Sequence, residues 1–399
     1  MSRNKQAGYF DRNPFFRVLF REVDRMCGSF VYLFTTLLGP LFAFVLLLAI
    51  FNEGVPRNLS VALVDQDNSN LSRKMGMWID AAPEAEVSLR MPNLAEAYHQ
   101  METGHIDAVV LIPKETEKNI LKGVQQEIPV FVNNANMLKG GYLQKGIYKT
   151  LATLSGGIKV QVAMKHGLSE RQAMEQAQPV KLHQHILFNP FGNYAYFLLT
   201  ALLPLMLVVF TLLSTVYAVG TEVRDGSGPQ WLEQSEGSLI VGIAGKLTPY
   251  TFLFVFIAMV MNMILFVQMG TPLRGEFLLI ALGELALIMA YQMLGVLLVA
   301  VTSNLRLALS LGSAYSMMAL TFSGLTFPQF AMPALANAFT WLFPFTYWVK
   351  LFISQALRGE AVVYGIGFLA ILPLFIGLPV LCFPRLKRIL QNERFWGKV

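Results

Sequence analysis

Two sets of residues have the types and spacing from which chemistry is ordinarily built. Asp65, Asp67 and Ser69 alternate in VDQDNSNLS as oxygen ligands do at the start of a calcium loop. The rest of such a loop is missing, because Asn70 stands where a glycine should make the sharp turn and Gly76 where a bidentate glutamate should close the cage. A strand end running into a helix cap accounts for the same residues. His183 and His185 are close enough to share a metal, yet neither a cysteine nor a regularly spaced third ligand accompanies them, and His99, His105 and His166 are isolated. No serine, histidine and acid set stands out for nucleophilic work. The glycine-rich loop ending in lysine and serine or threonine, which cradles nucleotide phosphates, does not occur either. The sequence therefore assigns no catalytic, metal or cofactor site to this chain, and any nucleotide chemistry would have to be supplied by a separate subunit.

Two further features need an explanation of another kind. Glu284 lies about two turns, roughly 10 Å, inside a long apolar stretch, where a carboxylate is costly and is by default a functional candidate. Between two other apolar stretches lies TEVRDGSGPQWLEQSEGSLIVGIAGK, Thr221 to Lys246, which reads as a glycine-rich loop of mixed charge. Trp231 and Leu232 are expected to be exposed there, beside Glu222, Arg224, Asp225, Glu233 and Glu236, as anchors of a docking surface for a partner.

The elements that position these residues follow from hydropathy. Of the 399 residues, 54% are hydrophobic and 14% charged, too little polar surface to coat a soluble globule. Apolar stretches occur at Phe30 to Phe51, Tyr194 to Gly220, Leu247 to Met269, Phe277 to Thr302, Leu307 to Leu325 and Ala361 to Cys382. Each is long enough to cross a bilayer as a helix, so the fold class is an α-helical polytopic membrane protein of about six spans. Thr326 to Glu360 is apolar but holds Pro328, Pro333, Pro344 and Lys350, and reads as two short re-entrant helices. The net charge of +6 is concentrated before the first span (Arg3, Lys5, Arg12, Arg17, Arg21, Arg25) and after the last (Arg385, Lys387, Arg388, Arg394, Lys398). Basic flanks stay inside, which puts both termini in the cytoplasm and agrees with an even number of crossings. The charges bracket apolar spans and form no stripe on a soluble face, which argues against nucleic acid as a partner.

Residues 1–29 form a cytoplasmic N-terminus. Within it, Asn13 and Pro14 cap and open an amphipathic helix whose apolar stripe is Phe15, Leu19, Val23 and Met26, with the arginines spaced by four on a different face, a helix suited to the membrane interface. Residues 52–193 alternate strand and helix signals, with strands at Leu59 to Asp65, Val87 to Met91, Ala108 to Ile112 and Ile128 to Val132. That alternation predicts an inserted extracytoplasmic α/β domain followed by a long helix from Lys139 to Lys165 and a capping box at Ser169 and Gln172. Residues 194–382 form a five-span transmembrane domain containing the loop 221–246 and the re-entrant segment 326–360, and residues 383–399 a basic cytoplasmic tail.

Several segments in order resemble the permease subunits of ATP-binding-cassette exporters of the type-2 superfamily, in the branch with a large periplasmic domain between the first two spans. The soluble part is similar in VALVDQDNSNLSRKM, LAEAYHQMETGHIDAVVLIPKETEKNILKG and IPVFVNNANMLKGGYL; the membrane part in EVRDGSGPQWLE with GIAGKLTPY and in LTFSGLTFPQFAMPALANAFTWLFPFTYWVK. The resemblance implies a bacterial inner-membrane permease that pairs with a second copy or a paralogue. It also implies a cassette ATPase subunit, which would carry ATP and Mg and dock on Glu222, Arg224, Trp231, Leu232 and Glu233. Pro14 to Met26 would be the family's connecting helix and Thr326 to Lys350 its outer re-entrant helices. One departure is Asp225, Gly226, Ser227 and Gly228 in place of a plainer glycine-threonine turn.

The pathway between protomers is then expected along the second and fifth spans, with Phe322, Phe327, Phe343 and Phe345 toward its outer end and Glu284 as a further candidate. A phenylalanine-rich route favours lipophilic or amphipathic cargo such as a drug, lipid or glycolipid, although ordinary packing accounts for the same rings. The extracytoplasmic domain would receive cargo or dock a periplasmic adaptor. The alternative from another class is a non-transporting membrane scaffold or sensor that binds an envelope partner through that domain and needs no ATPase.

Overall fold

A computed structural model describes residues 13–52, 54–180, 185–187 and 193–397. Arg3, Lys5, Arg12, His183 and Lys398 lie outside the described residues. The chain forms two compact units, one of residues 1–54 with 186–399 and one of residues 55–185.

The first unit is helical. Helix α1 spans Pro14–Cys27 and is capped as the sequence predicts, with the Asn13 side chain accepting from the Phe15 N–H and proline in the first turn. Helix α2 spans Phe30–Ile50. The helices α8 (Tyr194–Arg224), α10 (Leu239–Gln268), α11 (Phe277–Thr302), α12 (Leu305–Phe322) and α15 (Val362–Gln391, in short segments) bring the described helices long and apolar enough to cross a membrane to six. Helix α8 is apolar around its whole circumference and buried along most of its length, which makes it the central helix of the unit. It packs against α2, α10, α11 and α12. Small residues let the backbones approach: a Cβ on Gly295 of α11 would come within 3.0 Å of Thr215 of α8. Between α12 and α15 lie the two short helices that the proline pattern predicts, α13 (Ala334–Thr340) and α14 (Pro344–Phe352).

The segment read as a long loop, Thr221 to Lys246, is mostly helix. Helix α8 runs on to Arg224, a short helix α9 covers Gly228–Gln234, and α10 begins at Leu239, where the Ser238 side chain accepts from the Val241 N–H. The glycines that suggested a loop instead serve tight turns and close approaches. Gly226 has φ +66°, and a Cβ there would also sit 2.9 Å from the Trp396 ring.

The second unit is built on a four-stranded sheet of order β2-β1-β3-β4, from β1 (Leu59–Asp65), β2 (Ala85–Arg90), β3 (Ala108–Ile112) and β4 (Val130–Val132). Pairing is parallel for β1 with β2 and with β3, and antiparallel for β3 with β4. The two central strands are apolar on both faces, as strands covered on both sides must be. Val61, Leu63, Val110 and Ile112 pack toward α3 (Asn70–Asp80) and the long helix α6 (Met137–Lys165), while Ala62, Val64 and Val109 pack toward α4 (Leu94–Glu102). Helix α6 runs unbroken through Gly156 and Gly157, and α7 (Glu170–Ala177) opens on the capping box of Ser169 and Gln172. A further short helix, α5 (Thr116–Leu121), follows β3.

The alternating acids serve the turns around β1. Asp65 accepts from the N–H groups of Asp67 and Asn68 and from the Ser72 hydroxyl, and Asp67 accepts from the N–H groups of Thr116 (2.9 Å) and Glu117 (3.1 Å) at the start of α5. Burial pushes the Asp67 carboxyl upward, but hydrogen bonds from Ser69 and these amides outweigh it and hold its pKa below the ordinary carboxylate range. A depressed folded-state pKa stabilises the fold above the unfolded-state value, and that contribution is lost as pH falls through the folded-state one. Asp67→Asn should therefore cost about 1 kcal/mol at neutral pH, the scale of a helix cap, and the gap to the wild type should close under acid. Hydrogen exchange at the Thr116 and Glu117 amides across a pH series measures it.

Candidate functional site

Where α1, α2, α8, α9 and α10 meet, a set of charged side chains is buried together. Its centre is Glu222, in the last turn of α8. A carboxylate there faces the negative end of the helix dipole and is fully out of water, so it requires cations. Arg21 of α1 binds it bidentately, Nη1 to Oε1 at 2.9 Å and Nη2 to Oε2 at 3.0 Å. Arg25, one turn further along α1, donates to Oε1 and also to the Thr221 hydroxyl, at 3.1 Å. Lys246 of α10 donates to Oε1 at 2.8 Å, and the Ser227 hydroxyl donates to Oε2.

A second carboxylate completes the set. Glu22 of α1 accepts from Lys246 and, at 2.6 Å, from the Tyr250 hydroxyl. The side chains of Glu22, Glu222 and Lys246 are 1%, 0% and 0% exposed. Removing such ions from water costs several kcal/mol each, and only dense, well-directed hydrogen bonding offsets that. Two carboxylates against Arg21, Arg25 and Lys246 leave one positive charge in excess, at the arginine side of the cluster, where the guanidinium side chains retain partial exposure. For Arg25, burial works against the charge, but Glu222, with Tyr32 and Glu22 behind it, raises the pKa above the ordinary arginine value.

The cluster reaches the neighbouring elements through polar and aromatic contacts. Thr221 lies 3.1 Å from the Tyr32 hydroxyl of α2, and the Lys246 ammonium sits 5.1 Å from the centre of the Trp231 ring of α9. The Trp231 indole donates to the Gly242 carbonyl at 3.2 Å. Helix α1 lies close on α10: a Cβ on Gly245 would stand 2.8 Å from the Phe15 carbonyl oxygen. At the rim, Arg17 pairs with Glu236 at 2.7 Å. The arginines spaced by four therefore do share a face, and that face is turned onto protein carboxylates.

The expected docking residues divide on this geometry. Trp231 and Leu232 are buried, which corrects their reading as exposed anchors: α9 is amphipathic and turns its apolar side onto the helices behind it. Glu222 is likewise internal. Arg224, half-buried, pairs with Asp225, and Glu233 is exposed beside Pro229 and Gln230. On α1, Phe15, Leu19, Val23 and Met26 are half-buried, whereas Val18 and Glu22 are the buried positions. The C-terminal segment, expected as a basic tail, forms a helical stretch Phe383–Gln391 with Phe383, Leu386, Ile389 and Leu390 buried. It braces α9, since a Cβ on Gly228 would meet the Leu390 carbonyl oxygen at 2.7 Å, and Lys387 donates to the Gly237 carbonyl at 2.6 Å. The unusual turn thus has local reasons: Ser227 serves Glu222, and Gly226 and Gly228 admit the C-terminal segment.

The candidate pathway residues lie elsewhere in the unit. Phe343 and Phe345 are buried, Phe322 is half-buried and stacked on Phe343 with ring centres 5.6 Å apart, and Phe327 is exposed. Glu284 is buried within the bundle and accepts from the Asn262 amide at 2.7 Å. Glu22, Lys246 and Tyr250 have no expected role from the sequence, and Ser227 stands out there only as part of the unusual turn. A lysine in the apolar run IVGIAGKLTPY was the available signal, because it must find a buried partner.

Comparison with known proteins places this geometry in context. The profile described as ABC-2 family transporter protein matches residues 30–381. Two Escherichia coli proteins, from strain K12 and strain O157:H7, each named probable multidrug ABC transporter permease YbhS, are 23% identical to the chain over 350 residues, covering 84% of it and 88% of each relative.

Breaking the cluster from one side should be costly. Glu222→Gln leaves Arg21, Arg25 and Lys246 facing only Glu22, and is expected to destabilise the folded protein by about 3–5 kcal/mol, the cost of stranding a buried charge. Arg25→Met made together with Glu222→Gln should recover part of that loss, because Arg25 pairs with Glu222 and Lys246 still neutralises Glu22. Thermal unfolding of the purified single and double variants gives the coupling energy.

Proposed function

The chain belongs to the ABC-2 family of transporter proteins, and on that premise we propose that it is the membrane-spanning permease subunit of an ATP-driven exporter. ATP and Mg would be bound by a separate cassette ATPase, and the permease would act as a dimer with a second copy or a paralogue in the bacterial inner membrane. Both termini would be cytoplasmic, and residues 52–193 extracytoplasmic, able to receive cargo or an adaptor. The observation that carries this reading is the Glu222 cluster, which joins α9 to α1, α8 and α10 through buried charge.

The energetics explain why such a joint is needed. Taking a two-state equilibrium from 1:99 to 99:1 requires about 5.5 kcal/mol of differential interaction. An ATPase that closes on nucleotide binding can deliver this only if its contact surface moves the spans as rigid bodies. Pro229, Gln230 and Glu233 form the exposed side of α9, and Trp231 and Leu232 fix the other side to the bundle. Glu233 and its neighbours would receive the ATPase, and Trp231, Lys246 and Glu222 would pass the displacement to the helices. Cargo would cross between protomers along α8 and α12, with Phe322 and Phe327 at one end of the route. Its lipophilic or amphipathic character rests on the aromatic lining and on the names of the relatives, which are called multidrug permeases.

Glu233→Arg is expected to lower co-purification of the cognate ATPase about tenfold, the effect of one lost charge-assisted contact, and to leave the thermal midpoint of the permease unchanged. Retention of the ATPase at wild-type levels by a Pro229→Ala, Gln230→Arg and Glu233→Arg triple variant would sink the docking assignment. Protease mapping in sealed vesicles that placed residues 52–193 in the cytosol would sink the topology.

A further inference from the structure

The second unit contains an open cavity of about 1160 Å³ beside α6. This volume is slightly larger than most small-molecule sites, which span roughly 300–1,000 Å³. Its floor is apolar, from Met75 of α3, Ile120 of α5, Ile128 and Leu154, and α6 forms a wall from Leu151 to His166. A second cavity of about 460 Å³ shares Ile128 and Leu151 with the first and continues along α6 past Tyr148 to Gln144. Together they follow α6 for about 33 Å by helical rise.

The charge along this groove is one-sided. Lys159 on α6 and His166 at its C-terminal cap lie about two turns apart, both line the larger cavity, and among the described residues no carboxylate lines either cavity. Gln125, Gln126 and Gln176 also line the larger cavity, and the smaller one is bordered by Val130, Val132 and Ile147 together with the uncharged Asn134, Gln144 and Tyr148. A groove with basic side chains, no acidic ones and an apolar floor is complementary to an elongated molecule with an anionic head and an apolar tail.

We propose that the groove along α6 binds an anionic amphiphile, its carboxylate or phosphate held by Lys159 and His166 and its tail lying over Leu154, Leu151 and Ile128. As a statement about cargo this rests on the permease reading, and it places a selective site on residues 55–185 ahead of or after the membrane route. The binding itself needs no ATPase.

The test uses the full-length chain in nanodiscs of zwitterionic lipid, with empty nanodiscs as background. The probes are dansylaminoundecanoic acid, its methyl ester and a dansyl alkylamine of matching length. The acid should bind saturably and more tightly than the ester or amine. Lys159→Glu with His166→Glu should weaken the acid about tenfold or more, the scale of lost hydrogen bonds to a charged group, and should improve the amine. Ser155→Trp, which fills the cavity from an exposed position, should reduce binding of all probes. Both variants should retain wild-type circular dichroism and thermal midpoint. Acid binding that survives both variants, or equal affinity for acid and amine, overturns the proposal. ATPase co-purification on the same samples separates the two readings. Capture of the ATPase without selective acid binding removes this inference alone, and selective binding by a chain that captures no ATPase supports the groove while removing the permease reading.

Discussion

The buried carboxylate of Glu222 is the constraint that organises the helical unit at this end. An ionised group out of water and at the negative end of a helix dipole is tolerable only among directed cations. Arg21 and Arg25 are supplied by α1, Lys246 by α10 and Ser227 by the turn before α9, so satisfying one side chain fixes the positions of four segments. Lys246 donates in addition to Glu22, whose other oxygen accepts from the Tyr250 hydroxyl. Apolar packing alone would let α1 slide or rotate on the bundle at little cost. The bidentate geometry of Arg21 and the close approach at Gly245 do not.

This arrangement suits a mechanical role. Charged groups whose partners come from different helices act as a joint with few alternative positions, because any displacement that separates one pair leaves an uncompensated ion. Helix α9 is coupled to that joint through the Trp231 ring over Lys246 and is held from behind by Leu390 and Trp396.

The second unit solves a different problem. Its core strands are buried on both faces, and the acids at the end of β1 satisfy the backbone of the turns that follow. Helix α6, long and only weakly amphipathic, buries Leu143, Ile147 and Leu154 against the sheet and leaves the groove beside Lys159 and His166. The groove follows from that geometry, since a helix running well beyond a small sheet can cover it only along part of its length.

The elements were largely legible in the sequence. Hydropathy marks the helices long enough to cross a bilayer, short continuous apolar runs mark β1 and β3, and Asn13, Pro14, Ser169 and Gln172 mark helix starts, because each of these signals depends on residues near one another in the chain. The glycines between Thr221 and Lys246 misled for the same reason: locally they read as a loop, and only the Trp396 ring and Leu390, remote in sequence, show why small residues stand there. Exposure could not be read either. Trp231, Leu232 and Glu222 are polar-loop residues by their neighbours and interior residues by their contacts. The sequence by itself determined the kinds of element, their order and the charges available. Which charges meet was decided only by tertiary structure, because Arg21, Glu222 and Lys246 come from three helices and a buried ion's partners are set by where those helices pack, not by spacing along the chain.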